Sequence, residues 1–317
     1  MPWPSGYRPS GEIVMSQPLD SQGERPTWRK GRIAANPIPY WSRNGRVDKS
    51  REVLEEAFAD FAAIGFTAVK ADVPDNLTAA EYLGWIGSYG LEPALSLFNS
   101  PFDETIDITE EMERAKRFAA TQVALGLDRT MVSSMSLPER MSHPAVGSGF
   151  DKDQLALAIE NCGIICEVLR VEGLRALHHS HVGGVFETQY EITRLLDELG
   201  PGLLGFGPDT GHLRWACIDP APLIRRYADR LGGIHIKDCF PDHLDQDADR
   251  EPISYHELTA SKRLWAEPGL GVVDFDAVLA EIPDDYDGDF MIEVDYPSVD
   301  SRFESHRISF EWARDHL

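Results

Sequence analysis

The chain is poor in several features that mark particular classes of protein. Its 317 residues include only four cysteines, and no two form a Cys-x-x-Cys pair. We therefore predict reduced thiols rather than a disulfide framework. There is no apolar run of about 18 residues, which argues against a transmembrane helix. The first residues lack the charged start and apolar core of a secretory signal, so a cytoplasmic location is expected.

Basic residues are also scarce. The chain has 30 lysines and arginines against 53 aspartates and glutamates, which gives a formal net charge of −23 at pH 7. A charge of this sign repels phosphate backbones and anionic membrane surfaces. We therefore expect neither a nucleic acid nor a membrane as partner. The hydrophobic fraction, 42%, is sufficient for a sizeable core.

The remaining pattern predicts one barrel domain. Residues 1–30 are rich in proline, serine, glycine and charge, and are interpreted as an N-terminal extension of a domain over 31–317. The predicted strands begin near Ile33, Phe66, Pro93, Thr130, Leu174, Leu203, Ile234 and Phe290. Strands that alternate with helices in this way predict a parallel (β/α)8 TIM barrel. A doubly wound sheet would carry a glycine-rich fingerprint after its first strand, where Asn36-Pro37 stands instead.

One connection, 240–271, is long and acidic and shows no helix pattern. A loop of that length in a compact domain indicates a lid, a binding loop or an interface.

Three histidines end the fifth predicted strand. A strand from Leu174 to Leu177 runs into His178, His179 and His181. Side chains alternate along a strand, so His179 and His181 share one face and His178 takes the other. One reading is a metal or catalytic site; the other is one solvent-facing histidine and two held by core hydrogen bonds.

Ligand-type residues end the four strands from the fifth to the eighth: His179, Asp209, His235 and Glu293. The carboxyl ends of barrel strands meet over one pocket. Each residue has a structural alternative, since Asp209 could cap a helix, His235 could lie in the core and Glu293 could pair with an arginine. Together they favour a divalent metal, and imidazole with carboxylate suits Mn, Co, Fe or Zn better than Ca. Manganese is the first expectation, with Co, Fe, Zn or Mg as alternatives.

Further residues of the same strand ends and loops are predicted to act on the substrate. The predicted catalytic residues are His181 and Lys237, and the predicted substrate-binding residues are His178, His212, Trp41 and Asp295.

These assignments also have alternatives. Lys237 could pair with its neighbour Asp238, and Lys70 could be an ordinary charge at the barrel mouth. Phe98 and Trp215 could help Trp41 to wall the pocket, although Trp215 could equally face a helix.

Several stretches resemble a known group. Asp-Thr-Gly-His-Leu at 209–213, His-Ile-Lys-Asp at 235–238 and Ile-Glu-Val-Asp at 292–295 resemble the xylose-isomerase-like barrel superfamily, which holds sugar phosphate isomerases/epimerases and inosose dehydratases. Asn36-Pro37-Ile38 with Trp41, and the run from His178 to His181, are similar to the inosose dehydratase branch. The resemblance covers about residues 32–315. It implies a divalent metal held by His179, Asp209, His235 and Glu293.

The resemblance implies a function as well. The leading hypothesis is a metal-dependent lyase acting on a keto-polyol or oxo-sugar, either inosose dehydratase-like or cleaving 3-oxo-glycosides, including C-glycosides. His181 would remove the α-proton, and Lys237 or a second histidine would protonate the departing oxygen. Most epimerases of the superfamily have glutamate where His179 stands, which counts against two-carboxylate epimerisation.

Two other hypotheses stay open. A sugar isomerase or epimerase would use the same enediolate with Lys70 or Asp295 as an extra acid/base. A non-catalytic sugar-binding or partner subunit would show no turnover. In each case the expected ligand is a keto-sugar or cyclitol, and by family analogy the chain forms a homo-oligomer, with a small partner subunit as an alternative.

Overall fold

Parallel strands in the computed structural model form a closed barrel. The structure describes residues 31–43, 46–244 and 253–317, so the predicted N-terminal extension lies outside the described residues. The barrel strands are Arg32–Ala35, Ala68–Lys70, Glu92–Ala94 with Leu97–Ser100, Arg129–Ser134, Arg175–His178, Leu204–Phe206, Gly233–Ile236 and Asp289–Ile292. The predicted TIM barrel is confirmed.

Two sheets share the cylinder. The third strand is split: Glu92–Ala94 pairs with the second strand, and Leu97–Ser100 pairs with the fourth. At the opposite seam, between the sixth and seventh strands, the isolated bridges Phe206↔Leu231 and Asp209↔His235 close the barrel. Every pairing between barrel strands is parallel.

Helices surround the strands. The α-helices are Ile38–Trp41, Arg51–Ile64, Ala79–Gly87, Ile108–Ala124, Pro138–Ser142, Lys152–Val171, Gln189–Leu199, Thr210–Trp215, Pro220–Arg226, Tyr255–Ala260, Phe275–Ala280 and Arg302–His316, and the 3-10 helices are Ala228–Arg230 and Pro241–His243. Within the described ranges, no helix is both long and apolar enough to cross a bilayer.

Local sequence signals fix several helix starts. Thr188 and Glu191 form a capping box, in which each side chain accepts a hydrogen bond from the other residue's backbone N–H. The side chain of Asp151 accepts hydrogen bonds from the N–H groups of residues 153 and 154. Asp219 caps a helix whose first residue is Pro220, where the missing N–H costs nothing. Each of these starts therefore depends on residues next to it in the sequence.

The barrel interior is small and apolar at its amino end. It is filled by Ala34, Ala68, Ala94 and Met291 on one side and by Leu95, Met131 and Leu177 on the other. Glycine makes room for the larger of these side chains: a Cβ on Gly205 would lie 2.5 Å from Leu177 Cδ2, and one on Gly233 would lie 2.2 Å from Leu95 Cδ1. The main core lies outside the cylinder, between strands and helices.

The 240–271 connection is more ordered than the sequence predicts. The helix Tyr255–Ala260 begins with a Ser254/Glu257 capping box, and Trp265–Ala266 pairs antiparallel with Asp238–Cys239. Residues 245–252 lie outside the described part of the chain. The prediction that this segment has no helix is wrong. The helix was missed because six residues are too few to show a clear apolar stripe.

The Asp238 carboxylate holds the end of this connection. It accepts hydrogen bonds from the backbone N–H groups of Cys239, Gly269, Gly271 and Val273, at 2.8 to 3.0 Å. Asp238 therefore does not pair with Lys237, and that alternative is wrong.

Candidate active site

Because side chains alternate along a strand, the functional residues lie on the interior side of the barrel, beyond its apolar part. Leu177 points into the barrel, so His179 and His181 lie on the same side, two and four residues later. Met291 in the eighth strand is followed in the same way by Glu293 and Asp295. The interior therefore changes from apolar to charged at the carboxyl ends of the strands, where barrel sites form.

Three predicted ligands come together. His179, Asp209 and His235 are fully buried, and each offers a ligand atom within 4.8 Å of the others. The outer carboxylate oxygen, Oδ2, of Asp209 and the Nδ1 of His235 are buried without a hydrogen-bond partner. Buried polar atoms without partners are rare, because their desolvation is not compensated.

The second nitrogen of His179 is fixed by the backbone. Its Nδ1 lies 3.3 Å from the carbonyl oxygen of Gly207. With the proton on Nδ1 donated to this carbonyl, Nε2 is left as a ligand, an arrangement common among metal-bound histidines. The donor set and the unpartnered atoms therefore fit a divalent transition metal.

Glu293 lies at the edge of this group. Its Oε2 is 2.6 Å from His235 Nδ1, and it accepts a 2.6 Å hydrogen bond from Asn36 Nδ2. Its other oxygen accepts from Lys237 at 2.9 Å. Glu293 is therefore positioned beside the three-residue group rather than within it.

Lys237 is the centre of a buried cluster of charges, which we call the lysine cluster and define as Lys237, Glu293 and Asp295. The Lys237 ammonium, fully buried, donates to Asp295 at 2.7 Å as well as to Glu293. It lies 3.7 Å from Asp209 Oδ2 and 4.3 Å from the centre of the Trp265 ring. Lys237 is not among the described residues that line the cavity, so its ammonium reaches the cavity only through these carboxylates.

Burial dominates the acidities of the site. It raises the pKa of Asp209 to about 8 and that of Asp295 to about 7, and the Lys237 ammonium opposes both shifts. Burial would lower the pKa of Lys237, but the carboxylates around it outweigh burial and hold that pKa well above its ordinary value. Removal of charge from water is the common cause.

The rings of His181 and His212 lie in contact beside the cluster, tilted by 35° to each other. Their ring centres are 3.8 Å apart, and Tyr255 lies parallel to His181 with 6.4 Å between centres. The Nδ1 of His181 lies 2.7 Å from the carbonyl oxygen of Val182, so the proton is on Nδ1 and Nε2 is an acceptor. Burial, and then Lys237, lower the pKa of His181 to about 4.

The backbone of Val182 fixes one side of His212. Its Nδ1 accepts a hydrogen bond from the Val182 N–H at 3.2 Å, and its Nε2 lies 3.2 Å from Lys237 Nζ. His212 is 1% exposed and lies behind His181, outside the described lining of the cavity.

A second buried network holds the loop that follows His181. This arginine network consists of Arg140, Glu187 and Glu191. The Arg140 guanidinium donates to both oxygens of Glu191, at 3.0 and 2.6 Å, and to the carbonyl oxygen of Gly184 at 2.9 Å. Glu187 accepts from the Gly183 N–H at 2.8 Å. The network fixes the backbone directly behind the histidine strand.

A cavity of about 250 Å³ opens onto the site. It is lined by Asn36, Ile38, Trp41, Lys49, Lys70, Asp72, Ser96, Leu97, Asn99, His179, His181, His235, Glu293 and Asp295. Trp41 therefore walls the cavity as predicted. Phe98 and Trp215 do not: Phe98 packs against Phe118 outside the barrel, and Trp215 lies behind His212 against Trp265.

The structure does not bring His178 to the other predicted residues. It has the outward parity of its strand and packs edge-on against Phe186, with ring centres 5.8 Å apart. Burial lowers its pKa to about 3. Its predicted contact with substrate is therefore not supported by this position.

Sequence reasoning missed two members of the site. Asn36 was noted only as part of a motif, yet the same parity rule places it one residue past the first strand, against Glu293. Tyr255 comes from the 240–271 connection, where no periodic signal pointed to it.

Comparison with known proteins agrees with this fold. A family model described as xylose isomerase-like TIM barrel matches residues 58–316. The chain belongs to this family, as its motifs predict.

The individual relatives share only low sequence identity with this chain. An inosose dehydratase from Geobacillus kaustophilus (strain HTA426) is 26% identical over 256 residues, which cover 76% of this chain and 80% of that protein. A D-allulose 3-epimerase from Methylomonas sp. is similar in fold, with a TM-score of 0.66 and 15% identity over 91% of this chain and 98% of that one. A structure described as IOLI protein with a binding zinc atom has a TM-score of 0.64 and 11% identity, over 90% and 97% of the two chains.

Proposed function

We propose that the chain is a divalent-metal-dependent lyase that removes an α-proton from a keto-polyol or oxo-sugar and eliminates a β-substituent. The observation that carries this proposal is the joint position of His179, Asp209 and His235 beside His181, all at one end of the barrel. The inosose dehydratase relative supports a sugar-acting enzyme and a dehydration.

The metal would be held by His179, Asp209 and His235, with Glu293 at its edge. A bound divalent cation would supply Lewis-acid polarisation of the substrate ketone. Mn is the first expectation; Co, Fe, Zn or Mg are alternatives. The zinc in the structure described as IOLI protein supports a bound metal in a barrel of this fold without fixing its identity.

His181 is the proposed base. Its Nε2 is an acceptor by tautomer, and its ring lines the cavity beside His179. It takes the α-proton, and the C–H electrons form the enolate. Expulsion of hydroxide then restores the ketone and leaves a carbon–carbon double bond.

Lys237 is the proposed proton source for the departing group. Since its ammonium is buried, the proton passes through Asp295, which lines the cavity and accepts from Lys237 at 2.7 Å. Hydroxide leaves as water, and the proton held by His181 returns to solvent. Trp41 would wall the sugar, and the His212 ring would support His181 from behind.

Proton NMR of reactions run in heavy water tests the reaction type. The metal-loaded protein is mixed with an inosose and, separately, with a 3-oxo-glucoside, and the metal is removed before spectra are taken. Loss of water or of the aglycone is expected. Deuterium uptake beside the ketone with no group lost would make the chain an isomerase or epimerase. No change in either sample would contradict a lyase for these substrates and favour a sugar-binding role.

The role of His181 has its own test. His181→Ala is expected to lower turnover by roughly 10²- to 10⁴-fold, the usual contribution of a general base, while bound metal per chain is unchanged. His143→Ala, a histidine outside the cavity, is the matched control. Full turnover by His181→Ala at native metal content would show that another group removes the proton.

A further inference from the structure

Lys70 is a buried cation in the wall of the cavity. It ends the second strand and shares the interior side with Ala68, which packs in the apolar floor of the barrel. The residue is 7% exposed and lines the cavity on the side of the first three strands, away from the group of His179, Asp209 and His235.

The other charged groups of the cavity wall have partners. Lys49 and Asp72 pair with each other at 2.5 Å. Glu293 and Asp295 both pair with Lys237. By contrast, no ion pair or hydrogen bond joins the Lys70 ammonium to any residue in the described part of the chain.

The Lys70 side chain is largely enclosed, and its ammonium faces the cavity without an anion from any described residue. A cation enclosed in this way is stabilised by an anion or by good hydrogen bonds. Lys237 has such partners within the protein, since two carboxylates at the end of the eighth strand accept hydrogen bonds from it. The absence of such a group at Lys70 indicates that its counter-charge arrives with a ligand.

We propose that Lys70 binds a carboxylate of the substrate, so that, among the keto-polyols and oxo-sugars of the proposed function, an oxo-sugar acid or a carboxylated cyclitol is the preferred substrate. A single lysine suits one carboxylate. Phosphate sites combine a helix N-terminus or a nest of backbone amides with cations, and the other lysine of the wall, Lys49, is neutralised by Asp72. A cavity of about 250 Å³ suits a molecule of monosaccharide size.

This inference rests on the proposed function for the oxo-sugar part of the ligand, whereas the carboxylate at Lys70 is inferred independently of it. Its test is a binding measurement, so a failure of turnover would not affect it. The probes are D-glucuronate, D-glucose and D-glucose 6-phosphate, titrated into the metal-loaded protein by isothermal calorimetry. We expect D-glucuronate to bind at least about tenfold more tightly than D-glucose, as a charge-assisted hydrogen bond implies.

Variants separate Lys70 from the metal and from the rest of the wall. Lys70→Met should abolish the preference for glucuronate and leave the affinity for glucose within about twofold. Lys49→Met changes the other lysine of the cavity wall, which pairs with Asp72, and should retain the preference. Lys70→Arg should restore part of it. If Lys70→Met does not fold, Lys70→Gln serves in its place.

Three outcomes would overturn the proposal. The first is equal affinity of the native protein for glucuronate and glucose. The second is a preference that survives in Lys70→Met, which would place the carboxylate on the metal. The third is a preference for glucose 6-phosphate alone, which would make the ligand a phosphate.

Discussion

The arginine network and the group of His179, Asp209 and His235 are both buried, but they differ in how completely their polar atoms are satisfied. Glu191 receives Arg140 on both oxygens and also the N–H groups of Glu187 and Thr188. Next to the lysine cluster, Asp209 Oδ2 and His235 Nδ1 have no hydrogen-bond partner. The first arrangement is expected of a structural element. The second is expected of a site whose remaining partner is a metal or substrate.

The largest expected effect comes from breaking the satisfied network. Arg140→Met leaves Glu191 and Glu187 buried without their cation, so the free energy of unfolding should fall by about 3–5 kcal/mol. Urea denaturation followed by circular dichroism measures this change. Arg194→Met, which removes an exposed pair with Glu198, is the control and should change stability by less than about 1 kcal/mol. Equal losses of unfolding free energy in the two variants would show that the arginine network contributes no more to stability than an exposed ion pair.

A change in the unsatisfied region should do the opposite. Asp209→Asn keeps the oxygen that caps the next helix at His212 N–H but removes a buried carboxylate. Without metal, we expect unchanged stability or a gain of about 1 kcal/mol, because burial of this charge is costly. Metal affinity should fall by on the order of 100-fold.

Thermal unfolding with and without Zn or Mn, together with metal analysis, measures both quantities. Metal should raise the unfolding temperature of the native protein and not that of the variant. A metal-free variant much less stable than the native protein would show that Asp209 is structural.

The smallest effect concerns a buried histidine outside both regions. His306 packs against Phe61, and its ring nitrogens face the carbonyl oxygens of Arg302 and Asn36. Burial lowers its pKa below 6.5, although the nearby carboxylates of Asp60 and Glu267 oppose the shift. The unfolded chain therefore binds a proton below about pH 6.5 that the folded chain does not, and stability is lost as pH falls through this range.

Comparison of the native protein with His306→Gln isolates this contribution. Between pH 7.5 and 5.5, the variant should lose less stability than the native protein, by about 1 kcal/mol per pH unit below 6.5 at most. The remaining buried histidines act equally in both proteins. Identical pH profiles in urea denaturation would mean that His306 keeps an ordinary acidity.

The strand-end rule predicted most of the site for a physical reason. Parity along a strand is local, so His179, Asp209, His235 and Glu293 can be placed from their own sequence neighbourhoods. The same rule gives His178 the outward face, and its predicted role in substrate binding conflicted with that rule. Trp41 was also placed correctly, because it follows the first strand.

What sequence could not supply is pairing across distant elements. Whether Lys237 turns to Asp238 or to Glu293 and Asp295 depends on contacts over more than 50 positions. Lys70 has no ion-pair partner among the described residues because the nearby carboxylates already pair with other lysines. The helix that carries Tyr255 is too short to show a period, so its place above His181 follows only from the closed fold.

The seam between the sixth and seventh strands has a further consequence. There, isolated bridges rather than a continuous ladder join the two sheets, and one of these bridges is Asp209↔His235. A cation bound by His179, Asp209 and His235 would therefore cross-link the two half-barrels at their weakest junction. Loading of the cofactor would then close the cylinder as well as activate the substrate, and amide protons on both sides of the junction would become slower to exchange together.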